Sequence, residues 1–491
     1  MNRPLRRSAY ALIASFVLLL GAVVWIQAVK ASDYREDPTN PRLVAWRTGR
    51  ERGPIVSADD VLLAVSLPST DDPQLFTRNY PEGEAYSHTV GYSSVLFGST
   101  GIEAARANDL VSDRDSTISG VLNGLLGGDP RPRGVRLTLD HTLQMAALDA
   151  LDGQKGVVIA IDPQTGAILA MVSLPSYDPN ALVGLGAAPE GERLTVDPEQ
   201  PLRNRAIDET YPPGSVFKVI TTASGFDAGA VSPSSQFDDP TALVLPGSTA
   251  TIENFDGGVC SDGRSVTLEV AFIRSCNTVF AQLGMDVGGV GLWETAGKFG
   301  FNNVVPFDLD VLTSAFPDGA TLAPDPAATA QNAIGQRDVQ TTPLLMALAA
   351  ASIANGGTTM EPYLVDEVFT SEGVVESVTG PRVWRRAASP ATAAVIGDLM
   401  EKVVSSGTGR NAAVPGVRIA GKTGTAEITG SAPHAWFVGY GPVDPEPGER
   451  SIAIVVVVES GGNFGESATG GSVAAPIAQK VLSSFFGLTG E

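Results

Sequence analysis

The stretch Tyr211-Pro212-Pro213-Gly214-Ser215-Val216-Phe217-Lys218-Val219-Ile220 breaks the chain with two prolines and a glycine and then runs apolar, the pattern of a turn that opens a buried helix. Ser215 stands at the start of that helix. Lys218 follows three residues later, so its side chain falls on the same face as the serine hydroxyl. Flanked by Val216, Phe217, Val219 and Ile220, the ammonium loses water, which favours the neutral amine, and a neutral amine beside a hydroxyl can take its proton. The pair reads as an activated nucleophile. Two fixed residues also fit a helix-capping serine followed by a lysine that snorkels to solvent, so the surrounding sequence has to decide.

Moving outward, Ser275-Cys276-Asn277 follows a predicted helix over 266–274. A hydroxyl and an amide two residues apart in a loop can project together, the first relaying protons and the second bonding a substrate amide, although alone the triplet is an ordinary turn. Gly421-Lys422-Thr423-Gly424-Thr425 lies on a predicted strand, where glycines mark close approach of another backbone. Lys422 with the hydroxyls of Thr423 and Thr425 could hold a carboxylate, or could simply belong to a strand with a solvated lysine.

Predicted strands at 156–161 and 167–173 form a hairpin across the turn Asp162 to Gly166, and strands at 417–428, 434–440 and 451–459 form an antiparallel meander. Helices are predicted at 343–355, ended by Gly356 and Gly357, and at 474–486. Strands at both ends with helices between them give an α+β domain whose termini share an antiparallel sheet flanked by helices. Ahead of it, short apolar segments at 61–67 and 135–139, then Asp140 capping a helix over 141–151, indicate a smaller N-terminal module with a boundary near Gly153.

The three triplets occur in order on a helix start, a loop and a sheet edge, and together they resemble the S-x-x-K, S-x-N and K-T-G motifs of penicillin-binding proteins and serine β-lactamases. The whole chain resembles the monofunctional class B penicillin-binding transpeptidases, and within them the short actinobacterial penicillin-binding protein A type without C-terminal repeats. Further matches are Arg52-Gly53-Pro54-Ile55, Ile161-Asp162-Pro163, Thr165-Gly166, Pro175 through Asn180, Asn204-Arg205-Ala206, Gly335-Gln336, Asn355-Gly356-Gly357 and Trp436-Phe437-Val438-Gly439. The Asp-Arg pair that usually follows the first of these is not kept in register.

The resemblance implies a β-lactamase/transpeptidase-like domain over 153–491 and a stalk with a non-catalytic, pedestal or dimerisation-like module over 29–152. It implies that Ser215 attacks a D-Ala-D-Ala carbonyl while Lys218 takes its proton. Ser275 relays the proton to the leaving D-Ala, Asn277 holds the peptide amide, and Lys422, Thr423, Gly424 and Thr425 bind the terminal carboxylate. Backbone N–H groups of Ser215 and Thr425 form the oxyanion hole, and β-lactams acylate Ser215. Implied partners are peptidoglycan stem peptides and a membrane glycan polymerase of the shape, elongation, division and sporulation type, since the chain has no room for a glycosyltransferase domain. Readings from other classes are a β-lactamase or D,D-carboxypeptidase, a scaffold that grips the polymerase, and, least in keeping with a minimal cytoplasmic part, an antibiotic sensor.

The formal charge of -21 on 491 residues opposes binding to a polyanion such as nucleic acid. Arg3, Arg6 and Arg7 precede an apolar run over 9–26, with Tyr10 and Trp25 near its ends, which predicts an uncleaved membrane anchor over 9–28, residues 1–8 in the cytoplasm and the remainder outside. The rival is a secretory signal cleaved around Val29 to Ala31, where Lys30 is awkward. Either places the chain where thiols oxidise. Cys260 and Cys276 are the only cysteines, and either they pair, pinning the triplet that contains Cys276, or they remain two buried thiols. His88, His141 and His434 lack ligand spacing, so neither zinc nor another cofactor is expected.

Overall fold

The computed structural model describes residues 3–25, 30, 50–68, 76–111 and 131–488. Part of the expected anchor (26–28), most of the expected stalk (31–49) and residues 112–130 of the expected N-terminal module lie outside the described residues.

The sheet that positions the site has five strands, in the order Ala420–Ile428, Ser431–Gly441, Ile452–Val458, Gly156–Ile161 and Ile168–Leu174. All neighbours are antiparallel. Val455 opposes Ile159, so the last strand of the meander lies beside the first strand of the hairpin, as the sequence pattern requires. Ile452–Val458 is buried at every position because both faces are covered. Alternate residues therefore enter two cores. Val455, Val457, Ile159 and Val438 pack toward Pro343–Ala354, while Ile454, Val456, Val158 and Phe437 pack toward Leu143, Ala147, Ile477 and Val481. The helix Pro343–Ala354 is buried nearly all round, is capped by Thr342, whose hydroxyl accepts from Leu345 N–H, and ends at the predicted Asn355-Gly356-Gly357.

A second sheet has six strands, in the order Val375–Val378, Val365–Phe369, Gly134–Leu137, Ile55–Val56, Leu62–Pro68 and Phe76–Asn79. Only the contact between Ile55–Val56 and Gly134–Leu137 is parallel. Beneath it, Glu103 is wholly buried and shared by two arginines, Arg52 Nη2 at 2.6 Å and Arg78 Nε at 2.5 Å, with Tyr80 Oη at 3.3 Å. The family-like Arg52 thus belongs to the internal structure of this module.

Two elements bind the parts together across Gly153. Helix His141–Leu151, capped by the Asp140 carboxylate, which accepts from Leu143 N–H at 2.9 Å, packs with the last helix, Ala475–Phe485, on the five-stranded sheet. Strands 365–369 and 375–378, from far along the chain, complete the N-terminal sheet.

At the N-terminus, Arg3–Val24 forms a helix that leaves Leu12, Ile13, Phe16, Leu18 and Leu20 exposed. Among the described residues no helix is long and apolar enough to cross a membrane.

Candidate active site

The prolines and Gly214 shape the turn that presents Ser215. Gly214 adopts φ +53°, and a Cβ there would lie 2.8 Å from the Thr425 carbonyl oxygen, so only glycine lets this turn sit directly on the Gly421-Lys422-Thr423-Gly424-Thr425 strand. Its N–H donates to Gly335 C=O at 2.8 Å, which accounts for the Gly335-Gln336 match. Ser215 falls in a single 3₁₀ turn, Gly214–Phe217, that runs straight into the helix Lys218–Asp227. The serine is half-buried and lines a cavity of about 1310 Å³.

Ser275 follows the helix Leu268–Arg274 and takes a left-handed conformation, φ 64°, uncommon for a residue with a side chain. Two lysines and a disulfide hold it there. Lys218 Nζ donates to Ser275 C=O at 2.7 Å and to Asn277 Oδ1 at 2.8 Å, and lies 3.4 Å from Ser275 Oγ. Lys422 Nζ donates to Ser275 Oγ at 2.7 Å and to Thr423 C=O at 2.9 Å. Cys276 is bonded to Cys260, with Cα atoms 6.1 Å apart, so of the two readings of the cysteine pair the bridged one holds. Asn277 opens the next helix and donates from Nδ2 to Glu253 C=O at 2.9 Å.

Both lysines are completely buried. Phe280 faces Lys218 and Phe272 faces Lys422, their ring centres 5.4 and 5.8 Å from the respective Nζ atoms. Burial, reinforced by the charge of Lys422, holds Lys218 well below the ordinary lysine range. Burial pushes Lys422 down to about 7.

The structure therefore brings Ser215, Lys218, Ser275, Asn277, Lys422, Thr423 and Thr425 to one place. It differs from the sequence expectation at two contacts. Among the described residues no hydrogen bond joins Ser215 to Lys218, because the lysine side chain reaches past the serine to the Ser275 loop. Lys422 also points inward to Ser275 rather than out of the strand, leaving the hydroxyls of Thr423 and Thr425 on the cavity wall. The three histidines stay apart, and among the described residues no group of side chains could hold a metal ion.

A family model described as the penicillin binding protein transpeptidase domain matches residues 156–483. The chain belongs to this family. A second model, the penicillin binding protein A dimerisation domain, matches residues 52–135. The chain is 42% identical to the peptidoglycan D,D-transpeptidase PbpA of Mycolicibacterium smegmatis over a 503-residue alignment covering 99% of each. It is 41% identical to PbpA of Mycobacterium tuberculosis, with 98% of each covered. Among solved structures, the ceftriaxone acyl-enzyme of penicillin-binding protein A from M. tuberculosis superimposes with a TM-score of 0.82 at 40% identity, over 89% of this chain and 99% of that one. A D,D-transpeptidase domain from Eggerthella lenta gives 0.78 at 34% identity, over 90% and 99%.

Within this transpeptidase fold, some neighbours of the site carried no sequence signal. Glu459, at the end of Ile452–Val458, accepts from Tyr211 Oη at 2.7 Å and Arg205 Nε at 3.0 Å, tying the serine turn and the Asn204-Arg205-Ala206 segment to the sheet. Thr408, beyond the helix Pro390–Ser406, places its Oγ1 2.6 Å from Thr423 Oγ1. A polar residue after a helix end reads as punctuation in a sequence, and nothing there shows which strand it meets.

Proposed function

We propose that this chain is a peptidoglycan D,D-transpeptidase that cross-links stem peptides through an acyl-enzyme on Ser215. The observation that carries the reading is the burial of Lys218 and Lys422 around the Ser275 hydroxyl beside a cavity lined by Ser215. A neutral Lys218 donates its two N–H bonds to Ser275 C=O and Asn277 Oδ1 and keeps a lone pair for the Ser215 proton. A small side-chain rotation brings the two together, as apo sites commonly require.

Ser215 Oγ then bonds to the penultimate D-Ala carbonyl carbon. Backbone N–H groups of Ser215 and Thr425 steady the oxyanion, a contact type worth roughly 3 to 4 kcal/mol per donor. The C–N bond to the terminal D-Ala breaks, and its nitrogen takes a proton from the Ser275 hydroxyl, replenished from the lysine pair. An amine of a second stem peptide attacks the ester, losing its proton by the same route and releasing Ser215. Asn277 aligns the donor amide, and Thr423, Gly424 and Thr425 receive the terminal carboxylate. β-Lactams place their strained amide at the same carbon and leave Ser215 acylated.

The proposed organisation is a cytoplasmic tail over 1–8, an anchor over 9–28, a stalk and module over 29–152 and the transpeptidase domain over 153–491, with the catalytic face outside the cell. The exposed leucines, isoleucine and phenylalanine of Arg3–Val24 support the anchor. A membrane glycan polymerase is the proposed partner of the module.

The test is the intact mass of the full chain in detergent after exposure to benzylpenicillin. A long-lived adduct, absent from Ser215→Ala, is expected. Rapid loss of the adduct with antibiotic turnover would indicate a β-lactamase, and no adduct would bring the scaffold reading forward.

A further inference from the structure

Lys422 is fully buried, and its two short hydrogen bonds run to Ser275 Oγ and Thr423 C=O, so its ammonium presents no direct contact to a carboxylate in the cavity. Among the donors on the cavity wall, hydroxyls stand next to Lys422 on its own strand. Thr423 and Thr425 supply two, and Thr425 Oγ1 already accepts from Gly470 N–H at 3.4 Å.

A third hydroxyl stands beside them. Thr408 is exposed on the cavity wall, and its Oγ1 lies 2.6 Å from that of Thr423. In a pair this close one hydroxyl donates to the other, and the acceptor retains its own proton for a group in the cavity. The turn that carries Thr408 is fastened on both sides. Thr408 N–H donates to Ile273 C=O, two residues before Ser275, at 3.4 Å, and Asn411 Nδ2 donates to Gly471 C=O at 2.8 Å. One hydroxyl thus touches the strand of Lys422 while its backbone touches the helix that leads to Ser275.

We infer that Thr408 is a substrate-binding residue: with Thr423 it forms a hydroxyl pair that donates one proton, beside that of Thr425, to the terminal carboxylate of the acyl donor. The assignment rests on the acyltransferase reading above.

The experiment compares benzylpenicillin with its methyl ester, which lacks the anionic carboxylate, on the full chain in detergent. Non-covalent affinity and the acylation rate constant are measured separately for wild type, Thr408→Val and Thr408→Ser. Hydrogen bonds to a charged group predict a loss of affinity for benzylpenicillin of about tenfold or more in Thr408→Val, with little change for the ester. The rate constant should move less than the affinity, and Thr408→Ser should stay within about threefold of wild type. Equal losses for acid and ester would overturn the assignment and leave Thr408 a structural brace, as would no loss in either. Failure of Thr408→Ser to restore affinity would overturn it too, and covers the case of a misfolded valine variant. A wild type that never acylates would defeat the acyltransferase reading itself, an outcome distinct from any pattern among the variants.

Discussion

Two buried charge clusters in this molecule are built on opposite rules. In the N-terminal module, Glu103 is shared by Arg52 and Arg78, and its hydrogen bonds from Arg52, Arg78 and Tyr80 satisfy both carboxylate oxygens. In the catalytic domain, Lys218 and Lys422 flank one serine hydroxyl with only neutral acceptors. The first arrangement sets opposite charges against each other in a dry setting, one carboxylate between two guanidinium groups. The second sheds them, because two ammonium groups cannot both remain charged there. A compensated buried charge fixes a structure, and an uncompensated one makes a base.

The comparison is broken most directly by removing a charge from each side. Lys218→Met should slow β-lactam acylation by about 10³-fold, the usual size of a lost general base, while leaving thermal stability unchanged or higher. Stopped-flow acylation and calorimetry read the two effects, and a large fall in stability would contradict the contrast. Glu103→Ala should do the reverse. Stranding two arginines should cost about 3 to 5 kcal/mol in denaturant unfolding, with acylation by the surviving folded fraction little altered.

Breaking the Cys260–Cys276 bond tests whether the catalytic cluster also needs covalent support. Replacing both by serine should cost about 3 kcal/mol for a loop of separation 16 and should lower the acylation rate, because Ser275 is adjacent to the bridge. Unchanged acylation in the folded variant would show that the two lysines alone hold the loop.

The smallest effect is in pH. Lys422 falls to about 7 in the folded chain and lies near 10.4 when unfolded, so between these values the unfolded chain binds more protons. Lys422 should then make stability rise with pH across that window by up to about 1.4 kcal/mol per unit, with Lys218 adding a rise of its own, and only the Lys422 part should be lost in Lys422→Met. Acylation should fall at low pH, once Lys218, held well below the ordinary lysine range, takes up a proton and can no longer accept that of Ser215. A flat stability curve from pH 7 to 9 would mean that Lys422 stays charged.

Much of this was legible in the sequence where local chemistry dictates shape. The prolines and Gly214 around Ser215, the valine-rich Ile452–Val458 and the Asp140 cap each carry their own instruction, and each forms as read. The direction of a long side chain is not local. Lys218 passes Ser215 to reach Asn277, and Lys422 turns toward Ser275, because their partners come from segments brought close only by folding. Glu459, Thr408 and Glu103 were silent for the same reason. The strands at 365–369 and 375–378 gave weak signals since Val375–Val378 is exposed throughout and has no alternating pattern to read.

Those same strands set the order in which the chain can be finished. Gly134–Leu137 leaves the ribosome with one edge open, and its partner Val365–Phe369 does not yet exist. During that interval the N-terminal sheet is an unfinished object that needs shielding from other strands. The module is thus completed only after Ser215, Ser275 and Asn277 have been synthesised. A nascent chain stopped between Asn277 and Val365 would carry Ser215, Ser275 and Asn277 and still lack both the Lys422 strand and the strands that close the N-terminal sheet.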